Sequence, residues 1–460
     1  MATETRSNAT GMDSEFQPLH DRTVEAMERC RVPGVVAGII HDGKEHVAGF
    51  GVTNVDHPVP VSGDTLFQIG STTKTVTATA VMRLVERGQI DLYAPIRSYL
   101  PELRLSDEAA AAGVNMHHLL THTGGWIGDL FGDTGRGENA LERMVAKLAE
   151  VPQLTSLGEI WSYNNAGFYL AGRVIEVLTG KPYEVAAKEL VLDPLGMDRS
   201  FFFPEEVMVY SFAVGHNVID GTPKVTTPWP VPRSANPVGG ITSSAPDQLR
   251  YACFHMGDGT ASNGMRILSP ESMKLMQTPT MRADEGREMA LAWFIRDVDG
   301  VRIVQHGGGT NGQLSAFMFA PERDFALTIL TNADRGSELN LEVTRWALQR
   351  YLGVMESESA RLERTAKELG AYAGRYVAPL SDVDLEVRDG ILVLEMTFTD
   401  AGLGDEPRPS PPPSRVAFYE HDKFVALEGP LKDTKGEFLR GPDGEIAWLR
   451  LGGRIRRRET

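Results

Sequence analysis

Ser71 and Lys74 stand three residues apart in FQIGSTTKTVTATAVMRLVERG, residues 67–88. Gly70-Ser71 reads as a loop ending at a helix N-cap, and Ala80, Val81, Leu84 and Val85 give the following residues an apolar face of helical period. On a helix this spacing is one turn along one face, so the Lys74 ammonium reaches the Ser71 hydroxyl. The pair is a nucleophile with an adjacent base. A serine attacks a carbonyl only when a neighbour removes its proton, and lysine can do so only once burial or nearby positive charge lowers its pKa from about 10.4. N–H groups at the helix start would also stabilise the resulting oxyanion.

Ser-x-x-Lys recurs by chance in long chains, and two further blocks give it weight. Trp161-Ser162-Tyr163-Asn164-Asn165 puts a tyrosine and an asparagine two apart just before a helix, and Gln305-His306-Gly307-Gly308-Gly309 closes a strand. Together the three blocks resemble the active-site motifs of the penicillin-recognising serine hydrolases: class C β-lactamases and their relatives among D-alanyl-D-alanine carboxypeptidases, D-aminopeptidases, esterases and peptide cyclases. The resemblance spans residues 15–355 and takes in the stretches HHLLTHTGGW and PVGGITSSAPD.

The resemblance implies that Ser71 is acylated and that Lys74 is its base partner. Tyr163 would relay a proton among serine, lysine and leaving group, since a neighbouring ammonium favours its phenolate. Which of Lys74 and Tyr163 takes the first proton stays open. Asn165 would hold the Lys74 side chain and the substrate carbonyl. The N–H groups of Ser71 and Gly309 would form the oxyanion hole, with Gly307 and Gly308 letting an edge strand approach the substrate closely. His306 departs from the β-lactamases, which carry Lys-Thr-Gly there. Histidine is mostly neutral at pH 7, so a fixed cation for a substrate carboxylate is not expected.

Trp126, Phe131 and Trp229 are candidates to line an apolar acyl pocket. His117, His118 and His122 invite a metal reading, but the helix reads HLLTH without a zincin glutamate. No metal and no cofactor is expected. The expected substrates are amides or esters of small peptides, D-residues among them, with a carboxylesterase or a peptide cyclase or thioesterase of the same fold as alternatives. A non-catalytic penicillin sensor is the rival from another class.

The order of elements around these residues implies an antiparallel sheet flanked by helices, an α/β (α+β) fold that the resemblance makes β-lactamase-like. A helix over 16–31 and a hairpin turning at Asp42-Gly43 precede the nucleophile helix. Helical periodicity over 90–100, 116–121, 141–151, 165–179 and 183–191 reads as a helical subdomain, residues 89–200, inserted after it. Residues 201–237, rich in proline and aromatics, read as a lid or pocket wall. Ser244 to Asp247 form a capping box opening a helix to residue 256, and another helix spans 270–276. Strands follow at 291–297 and 301–305, then a hairpin turning at 321–324 and an amphipathic helix over 339–352. The catalytic domain is thus residues 15–355, after a disordered N-terminus at 1–14. A connecting helix over 356–369 leads to a small β domain at 370–460, in which 402–414 is a proline-rich loop without fixed structure; as a barrel of this size it resembles the lipocalin-like appendage of some peptidase relatives.

The chain has 460 residues, 42% of them hydrophobic and 23% charged, an ordinary globular composition with room for two domains. A net charge of −16 argues against nucleic acid or an anionic membrane as partner. The basic cluster from Arg454 to Arg458 reads as the solvated end of a strand. Cys30 and Cys253 are read as free buried thiols. With no apolar leader and no apolar run of membrane-spanning length, the expected location is the cytoplasm, and assembly into a homo-oligomer is left open.

Overall fold

The computed structural model describes residues 14–229, 231–284, 286–356, 360–379, 381–398 and 410–459. The expected N-terminal disorder, apart from residue 14, lies outside the described residues, as do residues 402–409 of the proline-rich loop.

The first hairpin forms as its turn predicts. Strands Gly34–His41 and Lys44–Gly51 pair antiparallel, and Asp42 and Gly43 take the positive φ values, 48° and 74°, of a tight hairpin turn. Gly34–His41 also pairs with Phe325–Thr331, and the sheet continues through Leu314–Ala320, Val301–Gly309 and Phe294–Val298. Among the described residues it has eight antiparallel strands. Period-two alternation buries both faces. Val35 and Ile39 pack with Leu339 and Val343 of helix Gly336–Ala347, whereas Val36 and Ile40 join the larger core holding Ala80, Leu84 and Leu249.

Inserted helices include Met116–Leu120 and Ala140–Ala146, which both pack on Asn165–Thr179, and that helix packs on Thr73–Glu86, the helix that follows Ser71. That helix is central: Thr73 to Met82 and Leu84 are buried, so it has no solvated face opposite its apolar one. Its threonines are satisfied within the core. Thr77 Oγ1 donates to the Pro237 carbonyl at 2.7 Å, and Thr79 Oγ1 bonds the Tyr251 hydroxyl at 2.8 Å. The C-terminal part is a closed barrel of eight strands, from Gly374–Val377 to Arg454–Arg458, filled by Tyr376, Leu394, Phe424 and Phe438.

Several expectations need correcting. Residues 90–100 hold only the 3-10 turn Ile96–Ser98, because Pro95 fixes φ and cannot donate within a helix. The strand expected from 291 begins at Phe294, since Ala292 sits at φ 62° in a turn tied to the Leu120 carbonyl. The connecting segment is not a continuous helix. Leu362 N–H donates to the Phe418 carbonyl of the barrel at 2.7 Å, and helix starts only at Ala366–Gly370, capped by Thr365 and Glu368. Cys30 is buried but Cys253 is exposed, on the outer face of helix Ala245–Met256. The Arg454–Arg458 strand is no solvated tail: Arg456 is buried, and Arg454 is ion-paired with Asp129.

Candidate active site

Ser71 lies in a 3-10 turn, Gly70–Thr72, that feeds the helix Thr73–Glu86. It is not the expected N-cap, and no side chain caps that helix. Gly70 opens the turn at φ 51°, and a Cβ there would meet the Gly309 nitrogen at 2.5 Å. From the other side, a Cβ on Gly308 would lie 1.9 Å from the Ile69 carbonyl oxygen and 2.6 Å from the Ser71 nitrogen. The glycines of the strand Val301–Gly309 therefore bring its backbone against that of the Ser71 turn. Ser315 Oγ donates to the Ile69 carbonyl at 2.8 Å, and Gln313 Oε1 accepts the Gln68 N–H at 2.9 Å, fixing the turn to the next strand.

Lys74 is fully buried, with Nζ 2.9 Å from Ser71 Oγ and donating to the Val238 carbonyl at 2.8 Å. Burial first, and then the positive charge of Arg454, hold its pKa well below the ordinary lysine value, while Asp129 opposes the shift. Tyr163 is hydrogen-bonded to Ser71, and its ring centroid is 5.0 Å from Lys74 Nζ. Its pKa moves opposite to the sequence expectation. Burial raises it above the ordinary phenol value, outweighing the Ser71 hydrogen bond and the Arg454 charge that lower it. The tyrosine stays a phenol, and the charged form of the lysine is the one its burial opposes. His306, 2% exposed, donates from Nδ1 to the Gly307 carbonyl at 2.6 Å; burial and then the Lys74 charge lower its pKa to about 3, so it is neutral.

Asn165 does not hold Lys74. Its Nδ2 donates to Asp129 Oδ1 at 2.9 Å, and its Oδ1 is buried without a partner among the described residues. Asp129 in turn receives Arg454 Nε at 2.7 Å, and the Arg454 guanidinium lies 4.9 Å from the Tyr163 ring centroid. His122 stacks on Tyr163 with ring centroids 4.4 Å apart and accepts the Asn164 N–H at 2.9 Å. Sequence reasoning missed Asp129, Arg454 and the stacking role of His122. Asp129 stands in a glycine-rich loop and Arg454 just after Gly452-Gly453, a hairpin-tip signal. The three histidines diverge: His117 stacks on Tyr93, and His118 accepts the Asn115 N–H.

Beyond Gly309 a cleft of about 660 Å³ opens, lined by Phe202, Phe203, Trp229, Val231, Asn236 and Thr310 among others. The 201–237 segment is thus a cleft wall rather than structureless, and it includes the short hairpin His216–Ile219 with Thr222–Val225. Trp229 lines the cleft. Trp126 does not: it is a core residue whose carbonyl accepts Asn164 Nδ2 at 3.0 Å. Phe131 is half-buried and outside the cleft lining, although Gly132 beside it contributes.

The description of the Beta-lactamase family matches residues 19–351. Over 334 residues the chain is 34% identical to penicillin-binding protein 4 of Amycolatopsis lactamdurans, covering 71% of this chain and 88% of that one. The crystal structure of SurE with D-Leu superposes with a TM-score of 0.74 at 24% identity, over 97% of this chain and all of that one, so the barrel is part of the shared fold. The octameric penicillin-binding protein homologue from Pyrococcus abyssi aligns with a TM-score of 0.65 at 26% identity, covering 97% of this chain and 99% of that one.

Proposed function

The chain belongs to the beta-lactamase family of serine hydrolases, and from that premise we propose that Ser71 forms a covalent acyl-enzyme with amides or esters of small peptides, D-residues among them. One observation carries the reading: the buried Lys74 amine, held below its ordinary pKa, lies 2.9 Å from Ser71 Oγ. Lys74 takes the Ser71 proton as Oγ bonds to the carbonyl carbon, and the N–H groups of Ser71 and Gly309 receive the oxyanion. Tyr163 gives its hydroxyl proton to the leaving amine or alcohol and is reprotonated from the Lys74 ammonium, leaving an ester on Ser71. Water, an amine or an alcohol then attacks that ester through the same groups in reverse.

On this reading residues 15–355 are the catalytic domain, with the helical subdomain at 89–200, the segment 356–369 joins it to the barrel at 370–460, and the cleft past Gly309 takes the acyl side chain. Neutral His306 favours substrates without an obligatory carboxylate, which gives the carboxylesterase alternative its support. Assembly with further copies, a property stated of the Pyrococcus protein, is a proposal here that light scattering of the purified chain tests. No described helix is long and apolar enough to cross a membrane. The test of the reaction is hydrolysis of a panel of D-amino-acid amides and of simple esters by wild type and Ser71→Ala. Turnover is expected from the first alone, and equal turnover by both would sink the assignment.

A further inference from the structure

The barrel reaches the nucleophile's neighbourhood through one hairpin tip. Gly452 and Gly453, at φ 60° and 76°, turn between the strands Ile446–Leu451 and Arg454–Arg458. The Gly453 carbonyl accepts the Tyr163 N–H at 2.8 Å, and Ile455 N–H donates to Ser162 Oγ at 3.3 Å. Arg454 Nε and Nη2 reach the two oxygens of Asp129 at 2.7 and 3.2 Å, and Asp129, 7% exposed, accepts Asn165 Nδ2 at 2.9 Å. Three separate segments, 325 residues apart at the extremes, therefore close on one carboxylate.

We propose that Asp129 is a positioning residue of the active site and that Arg454 is the barrel residue holding it, so that the C-terminal barrel completes the catalytic centre. The proposal rests on the Ser71 and Lys74 reading above. Asp129 occupies the Asn165 amide nitrogen, which leaves Oδ1 as the face that amide can offer to the site. Arg454 offsets the carboxylate charge. Around Lys74 stand Tyr163, His122, His306, Asp129 and Arg454; the first three are neutral at pH 7, their ionisation opposed by burial. Asp129 and Arg454 are thus the charged pair that faces the Lys74 amine, the one favouring its ammonium and the other opposing it.

The sign of the effect follows. Arg454→Met leaves Asp129 unopposed, so Lys74 holds its proton to higher pH and the base is lost on the acid side. Acylation of the full-length protein by a p-nitrophenyl ester is followed from pH 5 to 9 in wild type, Arg454→Met, Asp129→Asn and the double variant. In Arg454→Met the acidic limb is expected to rise by about one pH unit, a loss of about tenfold below it. Asp129→Asn is expected to lower both the limb and the plateau, since Asn165 loses its anchor, and the double variant to return the limb towards the wild-type position. A barrel that only braced the fold would change the plateau and leave the limb in place, which overturns the proposal. Should Arg454→Met not fold, Asp129→Asn decides alone, and an unmoved limb there overturns the proposal too. Ser71→Ala run alongside separates the two readings: ester cleavage that survives it overturns the nucleophile, whereas a Ser71-dependent limb indifferent to both charges overturns the clamp alone.

Discussion

Lys74 and His306 are basic side chains whose protonation burial opposes, and their roles divide on what each touches. The lysine touches the Ser71 hydroxyl and the Val238 carbonyl. The histidine gives its one proton to the Gly307 carbonyl and faces Phe294 and Tyr163 with ring centroids 5.4 and 6.2 Å away. A lysine at this position has a longer, flexible stem that carries its ammonium out of the buried ring site towards the cleft, where it adds a charge-assisted contact to a substrate carboxylate. His306→Lys is therefore expected to raise the rate of acylation by penicillins by about tenfold, the scale of one such hydrogen bond. An unchanged rate counts against this account of the third motif. At this scale most of the candidate site was legible: Ser71, Lys74, Tyr163 and the glycines of the third motif come together as their spacing and the family resemblance imply. The protonation states were not, because whether a tyrosine beside a lysine becomes phenolate depends on burial, which spacing does not encode.

The elements that deliver these groups are a 3-10 turn and a glycine strand in backbone contact. Gly70 is fixed twice, by φ 51° and by the Gly309 nitrogen 2.5 Å from where its Cβ would stand. Gly70→Ala must push the strand away or abandon the turn, so it is expected to cut acylation at least about 100-fold and to destabilise the fold by more than about 1 kcal/mol. Acylation rates and urea midpoints of the variant check both. Long periodic segments were readable in sequence: the helices Asn165–Thr179 and Pro270–Met276 have the expected bounds. Residues 90–100 and 356–369 were not, since Pro95 and a backbone bond from Leu362 to the barrel override their helical composition. The N-cap at Ser71 is not realised because residues 70–72 form a 3-10 turn running into the helix, and the Ser71 hydroxyl accepts from Lys74 instead.

Across the whole molecule, buried neutral histidines make the fold sensitive to acid. His255 packs among Tyr251, Trp293 and Phe254, and burial lowers its pKa to about 3, as it does for His306. The unfolded chain takes up these protons near pH 6.5 and the folded chain near 3, so this stability is intact above about pH 6.5 and is lost as pH falls towards 3. The urea midpoint is expected to drop between pH 7 and 5, with a shallower slope in His255→Phe; parallel slopes would contradict the assignment. The antiparallel sheet with its inserted helices and the C-terminal barrel could be read from strand patterns and turns. The contact between them could not, because Asp129 and Arg454 are far apart in sequence and meet only when the barrel docks. The most direct test of the account is the intact mass of the protein over time after mixing with an activated ester, wild type beside Ser71→Ala. An acyl adduct that forms on the wild type alone and then decays is the predicted result. An equal adduct on Ser71→Ala, or turnover of the ester with no adduct dependent on Ser71, would contradict it.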